Sequence, residues 1–271
     1  MTVTEDSLPR PREDAEGLAL ELRAVDAGYG ATPVLRDVSI CVPRSSVVAL
    51  LGPNGAGKTT TLRVAAGLLR PTGGAVLIGG RDANRTAPFR RARLGVCLIP
   101  EGRGIFRSLT VRENLELLIP PWRKDKSIDV VVEAFPVLGQ RLGQVAGSMS
   151  GGQQQMLSLA RAFLSAPDVV LLDEVSMGLA PVIVDQIFAS LRLLASTGVS
   201  LVVVEQYVSR ALEMADVAYL MARGGITWSG PAADLDTDAV TRAYLGHSDD
   251  VPVQAPPRGP RDNDPTGRAA Q

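Results

Sequence analysis

The ten residues GPNGAGKTTT, Gly52 to Thr61, constrain this chain more than any other feature. They follow the short apolar run VVALL and lead into TLRVAAGLL, whose apolar spacing is helical. Glycines let a backbone wrap closely around a ligand, and a helix start leaves N–H groups that suit an anion. A glycine, four residues, then Gly-Lys-Thr between strand and helix is the pattern of a loop that cradles nucleoside triphosphate. The expected contacts are Gly52, Pro53, Asn54, Gly55, Ala56, Gly57, Lys58, Thr59 and Thr60, with Lys58 reaching the β- and γ-phosphates and Thr59 holding Mg²⁺. Of the 28 Lys and Arg residues only Lys58, Lys124 and Lys126 are lysine. A compact ammonium thus stands where a planar guanidinium would fit poorly. The competing reading is a glycine-rich turn without a ligand.

A pair of acids supports the first reading. The apolar run DVVLLDEVS ends in Asp173 and Glu174, and buried acids are costly unless they meet a cation or activate a reactant. Asp173 is expected to hold Mg²⁺ through its water shell, and Glu174 to polarise an attacking water as general base. The alternative is a solvated pair of acids at a strand end. Between these motifs, Ser150-Gly151-Gly152-Gln153 opens another helical pattern. Its two bare glycines make a second surface able to face a phosphate. A chain with two such surfaces binds two nucleotides or lends one surface to a partner.

The remaining sequence sets limits. Hydrophobic residues make up 45% of the 271 and charged residues 21%, an ordinary globular balance. The net charge of −1 argues against broad capture of nucleic acid or acidic lipid. Cys41 and Cys97 sit in apolar runs and read as buried free thiols in a reducing compartment. No uncharged apolar run approaches the roughly 18 residues of a membrane span, and the acidic, Pro-rich start lacks a signal peptide's apolar region. A cytoplasmic protein is expected.

Short apolar runs (VVALLG, LGVCLIP, DVVLLD, SLVVVEQ) read as strands covered on both faces, and LALELRAV as a half-exposed strand. Alternation with helices predicts an α/β fold around a mostly parallel sheet. From Leu109 to about Ala166 the reading is helical: Thr110 and Glu113 have capping-box spacing, and Met156, Leu159, Ala160, Phe163 and Leu164 share one helix face. Residues 1–17 and 247–271 read as disordered.

Together, the loop, the Ser-Gly-Gly-Gln run and the strand-end acids come in the order of an ABC-type ATPase. More specifically, IPEGRGIF (Ile99 to Phe106), LLDEVSMGLAP (Leu171 to Pro181) and VVVEQY (Val202 to Tyr207) resemble the ATP-binding subunits of branched-chain amino acid importers, the second of their two paired ATPases. With AGYGATPVL and AYLG, the resemblance covers roughly residues 18 to 246.

That family resemblance implies a P-loop NTPase core with a mostly parallel sheet, an antiparallel β part and a helical subdomain at about 102–166. It implies that Ser150, Gly151, Gly152 and Gln153 close over ATP held by a second, antiparallel ATPase subunit. Tyr29 would stack on adenine, or be a plain strand-end tyrosine. Glu101 would stand at the metal-sensing loop and ligate Mg²⁺ through water. Gln206 would take the switch position, able to donate a hydrogen bond but never cationic. Lys58, Glu174 and Gln206 are then the expected catalytic set. Val175 departs from the family's usual proline, and Gln153 from a common glutamate; a binding-only site is the alternative.

The function so implied is the ATPase of an importer for branched-chain or related hydrophobic amino acids, peripheral on the inner face of the cell membrane. Its partners would be permease subunits, a second ATPase, identical or similar, and indirectly an extracytoplasmic binding protein, with no nucleic acid. Alternatives are an importer of urea, short amides or other small solutes, a soluble ABC ATPase acting on ribosomes or DNA, and a regulatory nucleotide binder. The basic stretch RTAPFRRARLG reads as a solvated helix face, or as a contact to acidic groups or lipid head groups. Trp122 reads as part of a permease groove or as an anchored loop residue. His247 reads as a surface residue.

Overall fold

The computed structural model describes residues 17–123 and 127–235. The chain runs β1 (Leu18–Tyr29), β2 (Thr32–Pro43), β3 (Val47–Leu51), α1 (Lys58–Ala66), β4 (Gly73–Ile78), β5 (Arg81–Asp82), α2 (Pro88–Arg93) and β6 (Val96–Ile99). A helical stretch follows: α3 (Val111–Leu118), α4 (Asp129–Ala134), α5 (Pro136–Gly139) and α6 (Gly151–Ser165). It closes with β7 (Val169–Asp173), α7 (Pro181–Ser196), β8 (Ser200–Val204), α8 (Val208–Leu212), β9 (Val217–Ala222) and β10 (Gly225–Pro231).

Two sheets result. One has strand order β10-β9-β3-β8-β7-β6, parallel throughout except for the antiparallel edge strand β10. The other, β2-β1-β4-β5, is antiparallel. This is the α/β class expected, with its mostly parallel core and antiparallel part.

Strand β3 explains how the layers are held. All five of its residues are buried, because both faces of the parallel sheet are covered. Val47, Ala49 and Leu51 face the core made with the helices, among them Leu115, Phe163 and Leu191. Val48 and Leu50 face the other core, with Leu22, Ile40 and Val76 of the antiparallel sheet and Leu62 of α1. The period of two thus feeds two cores from one strand. Phe135, capping α4, meets Phe163 of α6 edge to face at 5.4 Å and ties the helical stretch together.

Thr110 caps α3 through the expected box with Glu113. Met156, Leu159, Ala160, Phe163 and Leu164 are all buried. Two expectations fail. Cys97 is buried and its thiol pushed up to about 11 by that burial, but Cys41 is exposed. The alternation of β2 sends Val38, Ile40 and Val42 into the core and Cys41 outward.

The basic stretch is also not a uniformly solvated face. Arg91 is 1% exposed. Its guanidinium donates to Val64 O and Ala65 O at 2.7 and 2.8 Å, to Ala83 O at 2.6 Å and to Thr86 O at 3.1 Å. It therefore closes the carbonyl end of α1, where a cation suits the helix dipole. Residues 1–16 and 236–271, with AYLG, His247 and most of both expected disordered ends, lie outside the described residues, as do Lys124 and Lys126.

Candidate active site

The loop from Gly52 to Gly57 joins the end of β3 to the start of α1, both rigid elements. Gly52 has φ 147° and lies so close to the Met221 carbonyl that a Cβ would sit 2.1 Å from it. Gly57, with φ 112°, is the N-cap residue of α1, which has no side-chain cap. The first N–H groups of that helix therefore point outward for an external acceptor. Lys58 folds back across the loop, its Nζ donating to Gly52 O at 2.8 Å and Pro53 O at 3.1 Å. It is 4.0 Å from Glu174 Oε1. Burial lowers the Lys58 pKa, while Glu174 and Asp173 oppose that shift.

A cavity of about 390 Å³ opens over this loop. Asn54, Gly55, Gly57, Lys58, Thr59, Thr60, Glu101, Glu174 and Gln206 line it, together with Val34 and Met177. Residues distant in sequence thus converge as expected. Thr59 Oγ1 donates to Asp173 Oδ1 at 2.9 Å, and Gln206 Nε2 to Glu174 Oε2 at 3.3 Å. Burial raises the Asp173 pKa, the Thr59 hydrogen bond lowers it, and neighbouring Glu174 and Glu101 push it up again. Three carboxylates thus face the Lys58 ammonium and the Arg63 guanidinium, which acts on Asp173 from α1, and the site stays short of positive charge. Among the described residues no group of three His, Cys, Asp or Glu could hold a metal alone. The Thr59–Asp173 corner nevertheless suits Mg²⁺, which keeps several waters and takes phosphate oxygens as its other ligands.

Glu174 has a left-handed backbone, φ 48°, held by its N–H to Val204 O at 2.8 Å. Gly52, Pro53 and Ala56 contribute backbone and are not cavity walls. Tyr29 does not line the cavity; its hydroxyl accepts from Arg63 Nη1 of α1 at 3.0 Å and 45% of the residue is exposed.

Ser150, Gly151, Gly152 and Gln153 also stand apart from the cavity, at the start of α6. Ser150 Oγ accepts from Gln153 N at 3.3 Å, and Gln153 Oε1 from Ser150 N at 3.1 Å. The Ser-x-x-Gln spacing spells a capping box, a local role overlooked in the sequence.

Two residues behind the site also escaped the sequence. Glu205 and Ser176 are both 0% exposed. Ser176 N donates to Glu205 Oε1 at 3.1 Å and Ser176 Oγ to Glu205 Oε2. Burial raises the Glu205 pKa to about 7 against those hydrogen bonds. The signal was present: an acid ends an apolar run at Glu205 as one does at Asp173.

A family model described as "ABC transporter" matches residues 35–177. The chain belongs to the ABC transporter family. It is 40% identical over 231 residues to the high-affinity branched-chain amino acid transport ATP-binding protein BraG of Pseudomonas aeruginosa, covering 84% of this chain and 99% of that one. The lipopolysaccharide export system ATP-binding protein LptB of Haemophilus influenzae is 34% identical, with 80% and 93% covered. A solved ATP-binding subunit of an ABC transporter superposes with a TM-score of 0.73 at 25% identity, covering 84% of this chain and all of that one. This ABC chain is a nucleotide-binding ATPase. Among the described residues no helix is long and apolar enough to cross a membrane.

Proposed function

We propose that this ABC ATPase powers an importer of branched-chain or related hydrophobic amino acids, and that its own cavity holds one Mg-ATP. The observation that carries the catalytic reading is the convergence of Lys58, Thr59, Glu174 and Gln206 on one cavity, with Asp173 hydrogen-bonded to Thr59 beside it. The uncapped start of α1 and Lys58 would hold the β- and γ-phosphates. Mg²⁺, held by Thr59 and by Asp173 through water, with Glu101 facing the same space, would neutralise charge on the phosphates. Glu174 would orient a water and take its proton as the water oxygen bonds to the γ-phosphorus and the bond to the bridging oxygen of ADP breaks. Gln206 would donate a hydrogen bond on the phosphate side while steadying Glu174.

We assign the start of α6, Ser150 to Gln153, to the ATP of a second ATPase subunit, because it stands apart from this chain's cavity. Tyr29, half-exposed beside α1, would receive the adenine. The catalytic core would be 18–246, with the helical subdomain at about 102–166. An apolar cleft of about 420 Å³ supports a place for a permease: Leu68, Pro88, Leu117, Pro120 and Trp122 are among its walls. Arg93 lies over the Trp122 ring at 5.3 Å. The chain would then sit on the inner face of the cell membrane, with an extracytoplasmic binding protein as its indirect partner. The likeness to the BraG protein favours amino acids; the likeness to LptB favours a lipid-linked cargo as second reading.

Glu174→Gln tests the chemistry and the partners together. ATP should still bind while turnover falls by roughly 10²–10⁴-fold. Tagged Glu174→Gln chain, recovered from its host's membranes with Mg-ATP, should bring down permeases and an amino-acid-type binding protein by mass spectrometry. A lipid-export assembly would replace the amino-acid reading, and recovery of ribosomal proteins alone would end the transport reading.

A further inference from the structure

The loop that carries Glu174 is anchored in place by Val175, which is buried in the core, but that apolar contact does not set the loop's orientation. Glu174 stands in the left-handed region, where a side chain is disfavoured by about 1–2 kcal/mol. Val175, next in line, does not lock φ as a proline ring would. The polar restraint comes from β8 and the two residues after it. Asp173 pairs with Val204 at the ends of the parallel strands β7 and β8. Just beyond, Glu174 N reaches Val204 O, and both the N–H and the hydroxyl of Ser176 reach the two carboxyl oxygens of Glu205. The next residue, Gln206, reaches back to the Glu174 carboxylate. Each side of the strand-end gap therefore holds the other, with Glu205 and Ser176 beneath and Glu174 and Gln206 above, in the cavity wall.

We infer that the buried Glu205–Ser176 pair is a positioning device that holds Glu174 and Gln206 in register over the phosphate side of the cavity. Glu205 touches no reacting atom; it acts through the loop and through its neighbour. Anchoring alone would be met more cheaply by two apolar side chains, since a buried carboxyl is costly to desolvate. What the pair adds is direction. Two hydrogen bonds from one residue to the two oxygens of one carboxyl fix the orientation of the loop as well as its place. The inference rests on Glu174 as the general base.

The test is ATP turnover and binding of a fluorescent ATP analogue in the full chain, with Ser176→Ala, Glu205→Ala, the double variant and Glu205→Gln. Each alanine variant should lower kcat by about tenfold or more while the nucleotide Kd stays within about twofold. The double variant should be no slower than the slower single variant, because the pair acts as a unit. Glu205→Gln should recover most of the rate, since its amide carbonyl still accepts from Ser176. Unchanged kcat, losses that multiply in the double variant, or a Kd that worsens in step with the melting temperature would overturn the inference. Ser176→Ala and Glu205→Gln keep the test valid should Glu205→Ala not fold. Glu174→Gln separates the two levels: turnover surviving there overturns Glu174 as base, whereas turnover lost there and kept in all pair variants overturns the pair's role alone.

Discussion

Glu205 is a carboxylic acid with no exposed surface, and its pKa has a consequence for stability. Burial raises it from 4.5 to about 7, the Ser176 hydrogen bonds and the Gln206 amide only partly offsetting the cost of a buried charge. A carboxyl whose folded pKa is raised contributes stability that is fully present below pH 4.5 and is lost as pH rises through 7. Glu205→Gln cannot ionise and lacks that loss. In urea unfolding, the variant should therefore gain on the wild type between pH 5 and 8, by at most about 3 kcal/mol at 1.36 kcal/mol per tenfold change in proton affinity. A difference that does not vary with pH would mean that Glu205 does not titrate in that range. The contrast with Asp173 shows what a sequence can disclose about single residues. Both acids end apolar runs, but only Asp173 stands beside a motif that asks for a cation. Glu205 needs Ser176, which reaches it only because β7 and β8 lie side by side. That adjacency is tertiary and leaves no spacing to read.

Among elements, α2 shows the same limit. Its arginines look alike in sequence, yet Arg91 is buried under α1 while Arg90 and Arg93 are exposed. A guanidinium with its donors in a fixed fork can serve several carbonyls at once, which an ammonium cannot. Arg91→Met would remove a charged donor from four carbonyls, of which Val64 O and Ala83 O keep the backbone N–H groups of Gly67 and Thr86. The expected loss is about 3 kcal/mol, seen as a fall in Tm of roughly 8 °C. Arg90→Met and Arg93→Met, exposed cations over the Phe89 and Trp122 rings, should each cost no more than about 1 kcal/mol. Equal effects at all three positions would mean that water can replace Arg91. The continuous apolar runs of β3, β6, β7 and β8 were legible because burial on both faces removes polar residues altogether. Among the strands of the antiparallel sheet only β1 announces itself, with leucines at alternate positions. The pairing of β1 with β2 shifts register four times along its length. Each irregularity breaks the period of two on which a reading from sequence depends.

At the scale of the whole molecule, the two surfaces we propose to face phosphate stand apart on one chain. The cavity over α1 does not include Ser150, Gly151, Gly152 or Gln153, and the capping box at α6 occupies only the Ser150 and Gln153 N–H groups. If the start of α6 serves a second copy related by a two-fold axis, each site is shared and defects can be complemented between chains. Glu174→Gln removes the proposed base on the cavity side, and Ser150→Arg blocks the start of α6 with a bulky cation. Each variant alone should be inactive as a pure chain. Mixed without nucleotide and then given Mg-ATP, half of the pairs should carry one intact site of two, so turnover should return to about a quarter of wild type. The wild-type chain under the same conditions supplies the scale, and its turnover per chain should rise with concentration as pairs form. If Ser150 served its own chain's nucleotide, no pairing of the two variants could rebuild a complete site. The mixture would then stay silent beside an active wild type, and the shared-site reading would be wrong.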